Sequence, residues 1–400
     1  MLVKNALLMG THCVDMQIEN GIILTIYPST DSVPSDNEAV IDANGYILLP
    51  PLCDMHLHLD KTFLGLDWFH NDLGPSIQDR IKLEREKTTS FGLDRFTQSS
   101  RLIELLVSMG TQYIRSHVDI DTDNGLDGVA GLLAAREKYK DICFIELVAF
   151  PQSGLVNRPG TYELMAEALK MGADIVGGID PAIIDRDPKR SINAIFDLAE
   201  NHAKPIDIHL HEMAELGAFS MELIIEQTLA RGMQKKVCIS HAFCLGNPNQ
   251  ALVGPLIENI AKADIAITSG GQAYIPFVPS VKQLSNAGIL VCTGNDNIRD
   301  IWAPYGTGDM LERTQLVSMR NGFRRDDDLE YAMNLCMENG AKLSGAKKYG
   351  LVPGNSADFL LVKGRNIPEC VVTCPKDRMV FKKGKMLAKD GIFSHSRLTL

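Results

Sequence analysis

The sequence predicts an α/β fold: a (β/α)8 barrel with a small β-sandwich domain formed by both ends of the chain. Three observations lead to this prediction. Eight short apolar runs alternate with segments of helical periodicity, polar residues gather at one end of those runs, and both chain ends consist of short strands joined by turns.

The middle of the chain supplies the eight strands and the helices between them. The β-rich runs are separated by amphipathic segments, and several of these segments close with glycine, the residue that commonly ends a helix. Eight parallel strands are the number that closes a barrel. An open doubly wound sheet is the alternative, but it usually has fewer strands. The runs are LCDMHLHL, QYIRSHVDI, ICFIELVAF, ADIVGGID, PIDIHLHE, KVCISHAF, ADIAITSG and ILVCTGND.

Chemically capable side chains lie at the carboxyl ends of these runs. In a barrel these ends converge on one face, where active sites are built, whereas an open sheet gives no reason for the placement. The residues are His56, His58, His117, Asp119, Gln152, Asp180, His209, His211, Glu212, His241 and Asp296.

The two chain ends have a different pattern. Residues 1–50 and 350–400 contain short strands and turns, and neither stretch shows a helix pattern. Neither is long enough for a robust core of its own. We therefore expect them to pair into one composite β-sandwich domain beside a barrel of residues 51–349.

Bulk composition restricts the class of protein. The formal net charge of −10 and the pI near 5.5 argue against nucleic acid or an anionic membrane as a partner. Nine scattered cysteines indicate free thiols in a reducing compartment. Because the sequence has no apolar run of membrane-spanning length and no signal-peptide pattern at its start, a cytoplasmic location is expected.

The histidine pair of HLH raises the question of a metal. His56 and His58 are alternate residues of one strand, so both side chains point the same way. His209 and Asp296 would complete a set that Zn²⁺ or Fe²⁺ accepts, with one position left for water. A single strand histidine is usually an ordinary core or surface residue. The joint occurrence at several strand ends favours a metal site.

A resemblance to a known family rests on motifs that span essentially the whole chain. They are HLH after a proline-rich turn, DIHLHE, ISHAF, GNDN and GLVPGNSADFLLV. Through them the chain resembles the amidohydrolase superfamily. SHVDID, VAFPQSG and DNIRDIWAPYGTGDM are similar to the cytosine deaminase group. The DK after the histidine pair, DIVGGIDPA and the second histidine of HLHE are closer still to the N-isopropylammelide isopropylaminohydrolases of triazine breakdown.

The resemblance implies a site with one divalent metal ion, Zn or Fe. Binuclear members of the superfamily use a carboxylated lysine at the end of strand four, where this chain has Asp180. Carried over by motif, the implied ligands are His56, His58, His209 and Asp296.

The resemblance also implies catalytic roles. Asp296 would accept a proton from metal-activated water, Glu212 would deliver it to a ring nitrogen, and His241 would hold the water and the developing charge. Ordinary alternatives stay open, because Glu212 can be a loop charge and His241 a core histidine.

Substrate-binding residues are implied in the same way. Gln152 matches a glutamine that hydrogen-bonds the ring, since an amide both donates and accepts. Phe150 and Trp302 either wall the pocket or belong to the core.

Four further residues distinguish the chain from cytosine deaminase and are also assigned to the pocket. His211 and Asn297 replace acidic residues of that enzyme, whereas Lys61 and Asp180 match the triazine enzyme. Together they permit a more substituted or more oxygenated ring.

The expected function is hydrolytic removal of an exocyclic amine, ammonia or an alkylamine, from a pyrimidine- or triazine-like ring. The expected partner is a small heterocyclic molecule, and a homo-oligomer is expected. One alternative is a cyclic-amide hydrolase of the hydantoinase or dihydroorotase type, which the missing lysine and the intact Glu212 and Gln152 disfavour. The other is a non-catalytic structural relative, which would typically have lost metal ligands.

Overall fold

The computed structural model describes residues 1–30, 39–74 and 76–394. Its strands are β1 (Leu2–Leu8), β2 (His12–Glu19), β3 (Ile22–Pro28), β4 (Val40–Asp42), β5 (Tyr46–Leu49), β6 (Leu52–Leu57), β7 (Thr111–Asp119), β8 (Phe144–Phe150), β9 (Ile175–Ile179), β10 (Ile206–His209), β11 (Val237–Ser240), β12 (Ala266–Thr268), β13 (Val291–Cys292), β14 (Phe359–Lys363), β15 (Arg378–Lys382), β16 (Lys385–Lys389) and β17 (Ile392–Phe393).

The α-helices lie mainly between the barrel strands. They are α1 (Ile77–Ser90), α2 (Arg95–Ser108), α3 (Asp127–Tyr139), α4 (Thr161–Met171), α5 (Pro188–His202), α6 (Ala214–Ala230), α7 (Gln250–Lys262), α8 (Val281–Asn286), α9 (Met310–Arg320), α10 (Asp326–Asn334), α11 (Glu338–Leu343) and α12 (Ile367–Thr373).

Strands β6 to β13 form the predicted barrel. They are parallel and pair in chain order, each with the next. The last strand also meets the first. Asp296 donates its backbone N–H to the carbonyl of His56 at 2.7 Å, and His58 donates back to Asp296 at 3.3 Å. The (β/α)8 architecture is therefore confirmed as a nearly closed barrel.

Helix α5 shows why these segments fold as they do. Asp187 caps its start by accepting from the backbone N–H of Arg190, and Pro188 occupies the first turn, where the missing N–H costs nothing. Its buried side chains recur at helical spacing and pack on the barrel: Ile192, Ile195, Phe196, Leu198 and Ala199.

The nine remaining described strands form a second sheet from both chain ends. The antiparallel pairing of β5 with β14 joins the two chain ends. The order of hydrogen-bonded strands in this sheet therefore begins at β17 and ends at β3. One apolar cluster contains side chains from both ends of the chain, including Ile23 and Phe381. Phe381 also stacks on Phe359 with ring centroids 4.3 Å apart. Both chain ends therefore form one separate sheet with a shared apolar core.

The expectation that neither chain end contains a helix is wrong. Helix α12 lies in the second end and is capped by Asn366, which accepts from the backbone N–H of Glu369 at 2.8 Å. Its buried Ile367 and Val371 pack with residues of α9 and α10. A helix of seven residues is too short to show a clear hydrophobic period.

The predicted domain limits remain predictions. Residues 31–38 and 395–400 of the proposed β-domain lie outside the described residues. Among the helices of the described part, none is both long and apolar enough to cross a membrane.

Candidate active site

Five buried imidazoles meet at the carboxyl end of the barrel. His56 lies in β6 and His58 just beyond it, His117 lies in β7, His209 ends β10 and His241 follows β11. The ring centroids of His56 and His209 are 4.5 Å apart, and those of His56 and His241 are 4.7 Å apart. The parallel strands therefore bring together the three histidines predicted as metal ligands and His241, which the sequence predicted as catalytic.

Asp296 completes this group from the segment that follows β13. Its Oδ1 lies 3.5 Å from Nε2 of His56 and 3.6 Å from Nε2 of His58. Asp296 and His241 both have a positive φ, 63° and 70°, a conformation that costs free energy and tends to occur at functional sites. Gly294 permits the close approach, because a Cβ there would lie 2.5 Å from the backbone N and O of His56.

The ring nitrogens in this group fit a metal ion. Within the described residues, Nε2 of His56, Nε2 of His241 and both ring nitrogens of His209 are buried without a hydrogen-bond partner. Burial lowers the pKa of His58, His209 and His241 well below the usual value, so each ring is neutral and offers a lone pair. Unpaired buried nitrogens beside a carboxylate are the donor set that Zn²⁺ or Fe²⁺ accepts.

Three groups of described residues could hold an ion: His58, Asp60 and Asp119 form one of them, and the other two share His56. Of the two that share His56, the first comprises His56, His58, His117 and His209, and the second comprises His56, His241 and Asp296. The ligand set predicted from the sequence takes three residues from the first group and Asp296 from the second. Burial also lowers the pKa of His117, to about 4, so this ring is a further neutral donor.

A hydrogen-bond relay below the cluster fixes the tautomer of His56. Ser240 donates its hydroxyl hydrogen to Oδ1 of Asp207 at 2.7 Å, and its Oγ lies 2.8 Å from Nδ1 of His56. Because the only hydroxyl hydrogen is already used, Nδ1 of His56 must donate to Ser240. The lone pair of His56 therefore lies on Nε2, on the side of Asp296.

A cavity of about 230 Å³ opens above the cluster. Its walls include His58, His209, His241 and Asp296. Six of the predicted substrate-binding residues also line it: Lys61, Phe150, Gln152, His211, Asn297 and Trp302. Asp180, also assigned to the pocket from the sequence, and Glu212 are not among the lining residues.

Lys61 is buried in a network of oxygen acceptors. Its Nζ lies 2.8 Å from Asp119 Oδ2, 3.2 Å from Gln152 Oε1 and 3.3 Å from Glu84 Oε1. Burial alone would lower the pKa of Lys61, but the carboxylates of Asp119 and Glu84 outweigh it and raise the pKa. A charged ammonium therefore stands at the cavity wall and orients the amide of Gln152.

Asp180 acts on the cavity through His211. Its Oδ2 lies 2.7 Å from Nδ1 of His211, and its Oδ1 accepts from the backbone N–H of the same residue at 2.6 Å. Burial opposes protonation of His211, but the charge and hydrogen bond of Asp180 prevail and raise the pKa of the imidazole. The fixed ring leaves its other nitrogen, Nε2, for the cavity.

The carboxylate of Glu212 turns away from the cavity. Its Oε1 accepts from the backbone N–H groups of Ala182 and Ile183 at 2.7 and 2.8 Å, and its Oε2 accepts from the hydroxyl of Ser220. Burial raises the pKa of Glu212 despite these contacts. Glu212 lies in the loop after β10, as the sequence predicts. Its carboxylate, however, points to the loop that follows β9.

Aromatic residues and amides form the remaining walls. Phe150 stacks on His209 with ring centroids 4.1 Å apart. The indole nitrogen of Trp302 donates to Glu84 at 2.7 Å, and the amide of Asn297 donates to Asp300 at 2.6 Å. These contacts hold the walls in place, so the cavity presents flat faces suited to a ring.

Comparisons with known proteins identify the family of the chain. Residues 39–391 match the Amidohydrolase family. The chain belongs to this family. The structure of N-isopropylammelide isopropylaminohydrolase from Burkholderia multivorans superposes with a TM-score of 0.92 at 41% identity, covering 98% of this chain and 99% of that one.

Two further relatives resemble this amidohydrolase along their full length. The structure of 5-methylcytosine deaminase from Klebsiella pneumoniae has a TM-score of 0.86 at 28% identity, covering 100% of this chain and 99% of that one. N-isopropylammelide isopropyl amidohydrolase of Pseudomonas sp. (strain ADP) is 28% identical, and the match covers 98% of each chain.

Several residues of the amidohydrolase site were not assigned to it from the sequence. His117 was noted at a strand end but not assigned a role. Gln272 donates to Asp296 Oδ2 at 3.1 Å and lies 3.0 Å from Nδ1 of His241; its loop after β12 carries no motif. Arg80 and Glu84 belong to α1, which the hydrophobic pattern did not predict because its face is largely polar.

Proposed function

We propose that this amidohydrolase hydrolytically removes an exocyclic amine, ammonia or an alkylamine, from a pyrimidine- or triazine-like ring. One observation carries the proposal: the cavity joins the histidine and Asp296 cluster directly to the Lys61–Gln152 pair and to flat aromatic walls. Such a cavity suits a ring whose edge lies between the hydrogen-bonding groups and whose reacting carbon lies beside the cluster.

One divalent ion, Zn or Fe, would be held by His56, His58, His209 and Asp296. When bound, the ion would lower the pKa of a water molecule toward neutrality. The unpartnered nitrogens of these histidines and the approach of Asp296 to two of them support this assignment.

Proton movement falls to the residues around the reacting carbon. Asp296 accepts a proton from the attacking water, while Gln272 holds its Oδ2 in place. A C–O bond forms at the ring carbon, a ring nitrogen gains a proton, and the C–N bond to the amine then breaks. The amine leaves with a proton and the ring keeps the oxygen as a carbonyl. His241, with Nε2 unpartnered among the described residues, stabilises the developing negative charge.

Ring recognition follows from the wall groups. Since Gln152 accepts from Lys61 through Oε1, its NH₂ group is left to donate to a ring oxygen or nitrogen. His211, with its raised pKa, is a second donor. In this scheme Glu212 delivers the proton to the ring nitrogen, and to do so its carboxylate must exchange the Ser220 hydroxyl for the substrate.

Among candidate rings, an N-alkylated hydroxytriazine is favoured over cytosine. Lys61 adds a buried cation, which suits an oxygen-rich ring. The relative from Burkholderia multivorans, named for N-isopropylammelide, is also more similar in sequence than the 5-methylcytosine deaminase. The nine cysteines all lie in the described residues and are all free, which supports the cytoplasmic location proposed for the protein. The homo-oligomer stays a prediction.

A screen for amine release tests the proposal. Purified protein with measured Zn and Fe content is incubated with N-isopropylammelide, cytosine, 5-methylcytosine and the cyclic amide hydantoin, and His209→Ala serves as control. We expect one bound metal ion per chain and release of amine or ammonia that His209→Ala lacks. Ring opening of hydantoin alone would favour a cyclic-amide hydrolase. Absence of bound metal together with absence of turnover would favour a non-catalytic relative.

A further inference from the structure

Arg80 occupies a defined position at the mouth of the cavity. It lies on the same face of α1 as Ile77 and Glu84, three residues after the first and four before the second. Ile77 packs beside Phe150, and Glu84 bonds Lys61 and Trp302. Because both neighbours are anchored to the cavity wall, the helix carries Arg80 over the opening, and Arg80 is one of the lining residues.

The guanidinium of Arg80 has no partner in the described residues. Its Nε is buried without a hydrogen bond, and no ion pair with any described carboxylate is formed. The neighbouring cationic side chains, in contrast, are paired with carboxylates. Lys61 contacts Asp119 and Glu84, and Arg85 contacts Asp121 at 2.6 Å. A half-buried guanidinium without an acceptor loses hydration without compensation, so it is a site for an incoming acceptor.

The charges around the cavity point to an anion. Among its described lining residues, Asp296 provides the one carboxylate, and it lies against His56 and His58 at the base. Two cations, Lys61 and Arg80, stand on the walls, and Lys61 is paired with Asp119 and Glu84. Arg80 is therefore the one cation of these walls that no described carboxylate neutralises.

We propose that Arg80 selects substrates that carry a carboxylate on the edge of the ring facing the cavity mouth. The planar guanidinium would bind this group through two parallel hydrogen bonds, a geometry that a carboxylate matches. The inference rests on the proposed function, since it specifies the class of ring on which that reaction acts.

Binding of product-like rings tests the proposal independently of turnover. Calorimetric titration of the metal-loaded protein compares uracil with two ring carboxylates, orotate and isoorotate, which place the carboxylate on different ring carbons. We expect at least one carboxylate to bind about tenfold or more tightly than uracil. Arg80→Gln should remove this preference, so that the ratio of the affinities for the carboxylate and for uracil falls towards one.

The control is Lys82→Gln, which removes one positive charge from an exposed position of the same helix. It should keep the preference for the carboxylate, and Arg80→Lys should keep part of it. If neither carboxylate is preferred by the wild type, or if Arg80→Gln keeps the preference, the proposal is wrong. A preference that depends on Arg80, found together with a negative amine-release screen, would uphold the anion site while refuting the proposed reaction.

Discussion

Nζ of Lys61 lies 2.8 Å from Oδ2 of Asp119, and both side chains are buried beside the cavity. Removing the cation alone leaves the carboxylate without its partner. We therefore expect Lys61→Met to lower the free energy of unfolding by about 3 kcal/mol or more, and to lower kcat/KM because Gln152 loses its orienting donor. Urea unfolding and amine-release kinetics measure the two effects. Lys82→Met, an exposed lysine, is the control, and equal losses in both variants would refute the account.

The relay from Asp207 through Ser240 to His56 predicts an effect on metal affinity. Ser240→Ala and Asp207→Asn should each weaken metal binding by about 10–100-fold, because His56 is no longer held in the tautomer that presents Nε2. Competition with a chromophoric chelator measures this. Ser269→Ala removes a buried hydroxyl without a described hydrogen-bond partner at the end of β12 and should leave affinity unchanged. Unchanged affinity in all three variants would show that the relay does not position the ligand.

Substitution of Glu212 distinguishes a role in proton transfer from a structural role in holding the loop after β9. Glu212→Gln keeps an oxygen that can accept from Ala182 and Ile183, so metal content and thermal stability should be retained. Activity should fall by about 10²-fold or more if the carboxylate carries a proton. Ser220→Ala removes the other contact and should keep most activity. A near-normal rate for Glu212→Gln would remove this residue from the mechanism.

Asp309 and Arg378 predict a pH-dependent contribution to stability. Two hydrogen bonds of 2.8 and 2.6 Å join them between α9 and β15. Burial would raise the pKa of Asp309, but Arg378 outweighs it and lowers the pKa below 3.8. The pair therefore contributes its full stabilisation above pH 3.8. This stabilisation is lost as the pH falls through the lower pKa that Asp309 has in the folded state. Asp309→Asn should cost about 3–5 kcal/mol near neutral pH, with the difference from wild type shrinking in acid. A difference independent of pH, measured by urea unfolding, would contradict this.

The barrel could be predicted because its strands are short apolar runs separated by amphipathic helices with glycine ends. The grouping of His56, His58, His209, His241 and Asp296 followed from one property of that fold, the convergence of strand ends. Helices α1 and α12 could not be predicted, since one has a largely polar face and the other is only seven residues long.

Side-chain direction is the part of the site that the sequence could not supply. Glu212 is placed correctly along the chain, yet its rotation is decided by the N–H groups of Ala182 and Ile183, about thirty residues away. Gln272 reaches Asp296 and His241 from a loop without a recognisable motif. Contacts between distant segments of this kind depend on packing, which no local pattern encodes.

The central claim, removal of an exocyclic amine at this site, is tested most directly by mass spectrometry in heavy-oxygen water. The metal-loaded protein is incubated with N-isopropylammelide or cytosine, and both the ring product and the amine are analysed. We predict an intact ring that has gained one heavy oxygen in place of the amine, together with free isopropylamine or ammonia, and no such product from Asp296→Ala even where that variant retains metal. A ring-opened product, or undiminished product from Asp296→Ala, would contradict the claim.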